Sequence, residues 1–69
     1  MQKALRRIQD DYADDGVQIW YNGKDAFVSF GDWAESHDEC MGDVRRTLGG
    51  GKVDYDYEIG SPGPGWQRV

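Results

Sequence analysis

The dipeptide Asn22-Gly23 constrains the fold of this chain more than any other feature of the sequence. It separates two β-prone runs, residues 17–21 and 24–30, and both central positions of a tight hairpin turn must accept positive φ, as Asn and Gly do. A two-residue turn pairs Tyr21 with Lys24 and gives the hairpin one apolar face. That face is predicted to be the core, and it contains Val17, Ile19, Ala26, Val28 and Phe30.

Two further segments have the apolar spacing of amphipathic helices. In the first, Met1, Leu5, Ile8 and Tyr12 form one stripe, and Gly16 ends the helix. The second segment is predicted to begin at Asp32, as an N-cap followed three residues later by Glu35, and to end at glycines 49–51. Its apolar face consists of Trp33, His37, Cys40, Met41, Val44 and Leu48.

Residues 53–59, VDYDYEI, alternate between apolar and acidic side chains, which predicts a third strand with its apolar residues in the core and its acids outward. The predicted inward residues are Val53, Tyr55, Tyr57 and Ile59. The element order is then α-β-β-α-β, and we predict a single small α+β domain over residues 1–60. Its three-stranded, mainly antiparallel sheet has the first strand in the middle and both helices packed on one face. Residues 61–69 are a Pro/Gly-rich C-terminal tail without regular structure, anchored by Trp66.

Catalysis, metal binding and cofactor binding are not expected. Cys40 is the only cysteine in 69 residues, so neither an intramolecular disulfide nor a zinc framework can form. His37 shares the apolar helix stripe with Cys40, so both are predicted to be packed rather than to act as ligands or catalysts. The first residues lack the apolar region of a signal peptide, and no run is long enough to span a membrane, so a cytoplasmic protein is expected.

The charges point to a partner. The chain has a net charge of -5 and a pI near 4.5, which opposes direct binding to nucleic acid and to anionic membranes and favours basic protein surfaces. Basic residues open the first helix and aspartates crowd its end, the reverse of what the helix macrodipole favours. Pairs such as Arg6–Asp10 offset only a few tenths of a kcal/mol. The outward side of the third strand carries acids alone, although Asp is a poor strand former.

We therefore expect a small acidic inhibitor that binds a basic, nucleic-acid-handling protein by mimicking nucleic acid. Carboxylates about 6.6 Å apart along a strand have about the same spacing as alternate phosphates on one strand of a duplex. By analogy of class, phage-encoded antagonists of host defence such as anti-CRISPR proteins act in this way, in the cytoplasm of the host cell. The predicted partner-binding residues are Asp54, Asp56, Glu58, Asp10, Asp11, Asp14, Asp15, Trp20 and Phe27.

Other interpretations stay open at this stage. The acids of the third strand can serve only to keep an edge strand from aggregating. Trp20 and Phe27 can be covered by the tail or by a dimer mate instead of a partner. The chain as a whole can be a non-enzymatic accessory subunit or a homodimeric structural protein whose acidity serves solubility alone.

Overall fold

Two helices lie on one face of a mixed four-stranded sheet in the computed structural model, which describes residues 1–31 and 35–69. The helices are α1 (Gln2–Asp11) and α2 (His37–Leu48), and a short 3-10 turn, Ala13–Asp15, follows α1. The strands are β1 (Gln18–Tyr21), β2 (Ala26–Phe30), β3 (Val53–Tyr57) and β4 (Gln67–Arg68). The predicted α+β class is confirmed. The predicted helix start at Asp32 and the residue Trp33 lie outside the described residues.

The strand order is β3-β2-β1-β4, so the predicted three-stranded sheet with β1 between β2 and β3 is wrong. β3 pairs with β2, and the two strands are parallel. The physical reason is the intervening helix: α2 carries the chain back to the end of the sheet where β2 begins, so β3 runs in the same direction as β2. The place on the other side of β1 is taken by β4, which forms from the tail predicted to be irregular.

The predicted hairpin forms, but its loop is two residues longer. Tyr21 pairs with Ala26 rather than with Lys24. The cause is the side chain of Asn22, whose Oδ1 accepts hydrogen bonds from the backbone N–H groups of Lys24 (2.9 Å) and Asp25 (2.6 Å). Since side chains alternate with a period of two, this shift leaves every residue on its predicted face.

The core forms between the apolar face of the hairpin and the two helices. Val17, Ile19, Ala26, Val28 and Phe30 are all buried, as predicted. The helices contribute Leu5, Ile8, Cys40, Met41, Val44 and Leu48. Tyr55 also lies on this side of the sheet, but 48% of its surface is exposed because β3 is an edge strand. The prediction that Tyr55 belongs to the core is therefore wrong. No described helix is long and apolar enough to cross a membrane.

The glycines that join α2 to β3 provide a matched test of this packing. A Cβ on Gly51 would collide with the backbone oxygen of Lys24 and approach Leu48 Cδ2 to 2.8 Å, whereas a Cβ on Gly50 would meet nothing within 4 Å. We expect Gly51→Ala to lower the free energy of unfolding by about 1–3 kcal/mol. Gly50→Ala should change it by less than about 0.5 kcal/mol. Urea unfolding followed by tryptophan fluorescence measures both, and equal effects would contradict the close approach at Gly51.

Candidate functional site

One end of the sheet brings three segments of the chain together. β1 begins there, while β2 and β3 end there. The backbone N–H of Gly31 donates to the carbonyl oxygen of Gly16 (3.1 Å), and the N–H of Glu58 donates to that of Phe30 (2.8 Å). Because α1 runs into β1 and α2 follows β2, the last turn of α1 and the first turn of α2 lie at this end as well.

Acidic residues collect at this end, which we call the acidic end. It carries Asp10, Asp11, Asp14, Asp15, Glu35, Asp38, Glu39, Asp56 and Glu58. The opposite end carries mainly basic residues, together with Asp25 in the hairpin loop: Lys3, Lys24, Arg45, Arg46 and Lys52. The acids that end α1 and those of β3 were predicted as partner-binding residues from the sequence, whereas Glu35, Asp38 and Glu39 were not. The available signal was the opposite charge order of the two helices, which puts their acids together when the helices pack antiparallel.

Three aspartates of the acidic end have no structural explanation among their neighbours. Asp10, Asp11 and Asp14 are exposed. The arginine–aspartate pairs expected along α1 do not form, since the one ion pair in the described part of the chain joins Arg46 to Asp43 on α2. These three carboxylates also stand at the unfavourable end of the α1 dipole. Their charge is therefore unneutralised and available to a partner.

Asp15 differs from the other three. It is half-buried and accepts a hydrogen bond from the hydroxyl of Ser36, the residue that precedes α2. At that position the carboxylate faces the positive end of the α2 dipole, which favours a negative charge. Tertiary packing thus gives Asp15 a stabilising role that α1 alone does not offer. Of the four predicted aspartates, Asp15 is the one with a local structural purpose.

The acids of β3 lie on the face of the sheet opposite the helices. Asp54 is in register with Phe27, and Asp56 with Ser29. Trp20 lies on β1 and is one strand further away, because β2 stands between β1 and β3. The predicted sheet, with β1 beside β3, would have made it a direct neighbour of these acids. The two carboxylates are exposed and point the same way, as the alternation predicted.

The acidic row of β3 is shorter than the sequence suggests. The strand ends at Tyr57, and Glu58 follows in the left-handed region with φ of 58°. One carboxylate oxygen of Asp56 already has a partner within the chain, since Oδ1 accepts a hydrogen bond from the backbone N–H of Tyr57 (2.8 Å). The row along the strand therefore consists of Asp54 and Asp56, with Glu58 turned away from its line.

The C-terminal segment crosses the face on which Trp20 and Phe27 lie. The Ser29 hydroxyl donates to the carbonyl oxygen of Ile59 (2.8 Å), and Ser29 is only 3% exposed. The ring of Trp66 meets that of Phe27 edge to face, with 6.3 Å between centroids. Trp20 and Phe27 are both half-buried. The tail therefore covers part of this face, and both aromatics are only partly accessible.

His37 and Cys40 occupy packed positions. The His37 ring stacks on Phe30 with 4.6 Å between centroids, and its Nδ1 lies 2.8 Å from the hydroxyl of Tyr57. Cys40 is fully buried, and this burial, with nearby acids, raises the pKa of its thiol to about 12. Within residues 1–31 and 35–69, no three His, Cys, Asp or Glu side chains are arranged to hold a metal ion.

A part-buried hydrogen bond links the end of α1 to α2 beside the acidic end. The hydroxyl of Tyr12 donates to Asp43 Oδ2 at 2.7 Å. Desolvation and this carboxylate raise the pKa of Tyr12 far above its ordinary value. The bond ties the C-terminal turn of α1 to the middle of α2, so it helps to hold the acids of both helices at one end.

The burial of Cys40 predicts an unreactive thiol in the folded chain. Only the thiolate is alkylated, and a pKa of about 12 leaves about one thiol in ten thousand ionised at pH 8. We expect iodoacetamide to modify Cys40 about a thousandfold more slowly in the folded protein than in urea. Mass spectrometry of timed samples measures the rate, with glutathione as the free-thiol control. Rapid labelling without denaturant would contradict the packed position.

Comparisons with known proteins identify no relative, so the functional conclusion rests on the residues described above. No protein-family model, no curated protein and no solved structure matches this chain.

Proposed function

We propose that this chain is a small acidic inhibitor that binds the basic surface of a nucleic-acid-handling protein and excludes nucleic acid from it. The observation that carries the proposal is the separation of charge: acids of α1, α2 and β3 share one end of the sheet. A surface of one sign attracts a partner of the other sign and speeds their encounter. A net charge of -5 on 69 residues strengthens this effect.

Stability explains only part of the cluster: the α2 macrodipole favours Asp38 and Glu39 in its first turn, but the aspartates that end α1 stand at the unfavourable end of that helix. Like charges gathered in one place repel each other and oppose folding. Among the acids of α1, only Asp15 gains a compensating contact, from Ser36. Solubility requires charge but not its concentration at one end, because acids spread over the surface would serve equally well. A charge arrangement that lowers stability and is still present is typical of a binding surface.

Spacing supports mimicry of nucleic acid in particular. Asp54 and Asp56 stand about 6.6 Å apart along β3. Phosphates on one strand of a duplex follow each other at about 3.4 Å along the axis, so the two carboxylates match the spacing of alternate phosphates. Asp10, Asp11 and Asp14 extend the acidic surface beyond the strand. Since Trp66 packs against Phe27, and Trp20 and Phe27 are both half-buried, electrostatic contacts contribute more to this interface than aromatic anchors do. Binding should accordingly weaken steeply as salt is raised.

The triple variant Asp10→Asn, Asp11→Asn, Asp14→Asn separates binding from folding. Removing negative charge from the C-terminal end of α1 should raise its stability by about 0.3–1 kcal/mol per residue. It should nevertheless weaken partner binding about tenfold or more. The immobilised chain is first used to capture its partner from nuclease-treated lysate, and affinity is then measured with the purified partner. A triple variant that binds with unchanged affinity would remove α1 from the interface.

The matched control neutralises the other end of the molecule. Lys3→Gln with Lys24→Gln alters exposed residues far from the acidic end and should leave binding equal or slightly tighter. The captured partner should also be released by duplex DNA, with polyglutamate as a non-nucleic polyanion for comparison. If neither polyanion releases the captured partner, and if sedimentation shows that the chain forms a dimer at both low and high salt, the result would favour the homodimeric structural protein instead.

Charge reversal on β3 tests the mimicry directly. We expect Asp54→Lys with Asp56→Lys to abolish measurable binding, because two attractive contacts become repulsive ones. Both side chains are exposed and face away from the helices, so the core is untouched. Circular dichroism verifies the fold of the double variant. If the folded variant binds its partner as the parent does, β3 does not take part in mimicry.

A further inference from the structure

The outer edge of β3 has backbone groups that no described residue uses. In a parallel pair, one strand's residues alternate between bonding the neighbour and pointing away from it. The N–H of Ala26 donates to the carbonyl oxygen of Lys52 (2.9 Å), and the N–H of Glu58 donates to that of Phe30 (2.8 Å). These two bonds show which residues of β3 direct their backbone groups towards β2 and which direct them away from the sheet. The backbone of Asp54 and of Asp56 bonds to β2, and the backbone of Val53, Tyr55 and Tyr57 points outward.

The usable part of this edge is short and well defined. The N–H of Tyr57 is occupied by the side chain of Asp56 (2.8 Å), so the outward donors left are those of Val53 and Tyr55. Beside them the ring of Tyr55 is 48% exposed on the helix side of the sheet. On the other side Asp54 and Asp56 are exposed. An incoming strand would therefore meet apolar aromatic surface on one face and carboxylates on the other.

We infer that β3 accepts an extended basic segment of the partner as a fifth strand of the sheet. Main-chain hydrogen bonds to Val53 and Tyr55 would hold the segment, and alternate side chains would supply the specificity. Residues opposite Asp54 and Asp56 would be Lys or Arg, and the residue opposite Tyr55 would be apolar. Opposite charges on neighbouring strands attract, and like charges directly opposite repel. The partner segment thus alternates basic and apolar residues.

The same charges argue against a second copy of this chain as the occupant. Two β3 strands paired antiparallel about Tyr55 would set Asp54 of one copy opposite Asp56 of the other. In this full overlap acids face acids, because both residues on that face of β3, Asp54 and Asp56, are acidic. The carboxylates therefore disfavour self-association in this register and favour a basic strand. The same two carboxylates, those of Asp54 and Asp56, thus oppose pairing with a second β3 and attract a basic partner strand.

A peptide of alternating lysine and valine, about seven residues long, is the probe. Titration into the isotope-labelled chain should shift the amide resonances of Val53 and Tyr55 and slow their hydrogen exchange about tenfold. A glutamate–valine peptide should bind at least about tenfold more weakly. The same lysine–valine peptide with methylated backbone nitrogens keeps its charge but loses its donors, so it should also bind about tenfold more weakly.

Variants of the chain supply the second control. Asp54→Asn should weaken binding of the lysine–valine peptide, whereas Gln67→Lys, the same change of net charge on the opposite edge strand β4, should not. Failure of the peptide to bind, or no change at Val53 and Tyr55, would overturn the inference. Equal binding of the methylated peptide would overturn it too.

The inference rests on the proposed function, since it assigns the acids of β3 to a basic partner, but the two can fail separately. If the methylated peptide binds equally well and its affinity falls with salt, edge pairing is wrong and the acidic surface still binds basic partners. If the peptide binds at the edge while the captured partner is insensitive to the charge variants of α1 and β3, the edge accepts a strand but the inhibitor proposal fails.

Discussion

The burial of one apolar face of the β1–β2 hairpin is the interaction on which the rest of this structure depends. A chain of 69 residues with one cysteine has no disulfide to stabilise it, so its core must do so. Ile19, Val28 and Phe30 are completely buried, and each such side chain contributes about 1.5–3 kcal/mol relative to exposure. Both helices must lie on this face to cover it, and short connections to the hairpin determine their directions.

Those directions in turn decide where the charges meet. α1 ends where β1 begins, and α2 begins just after β2 ends, so both helices bring their acidic turns to the same end. The charge order of α1, unfavourable for an isolated helix, becomes part of a surface to which α2 and β3 also contribute. Asp15, beside the first turn of α2, shows that part of the cost is offset by tertiary contacts. The remaining repulsion is a cost that a binding function would justify.

The faces of the strands and the acids of α1 and β3 could be predicted, because side-chain alternation and charge order are local properties. The hairpin register could not be read from Asn22-Gly23 alone, since the Asn22 side chain competes for the turn and lengthens the loop. The neighbour of β3 was also mispredicted, because strand pairing depends on the path of α2 rather than on the residues of β3. Likewise, nothing in the tail beyond Trp66 indicated that Gln67–Arg68 would pair with β1.

By itself, the sequence determined the two helices and the first three strands, the apolar face that becomes the core and the sign of the charge, because each depends on residues close together in the chain. Tertiary structure alone decided that the acids of three segments converge, that the tail covers Phe27, and that β3 lies at an edge with Tyr55 half exposed. The physical reason is that these outcomes follow from the order in which elements pack around the hairpin. That order is set by contacts between residues far apart in the chain.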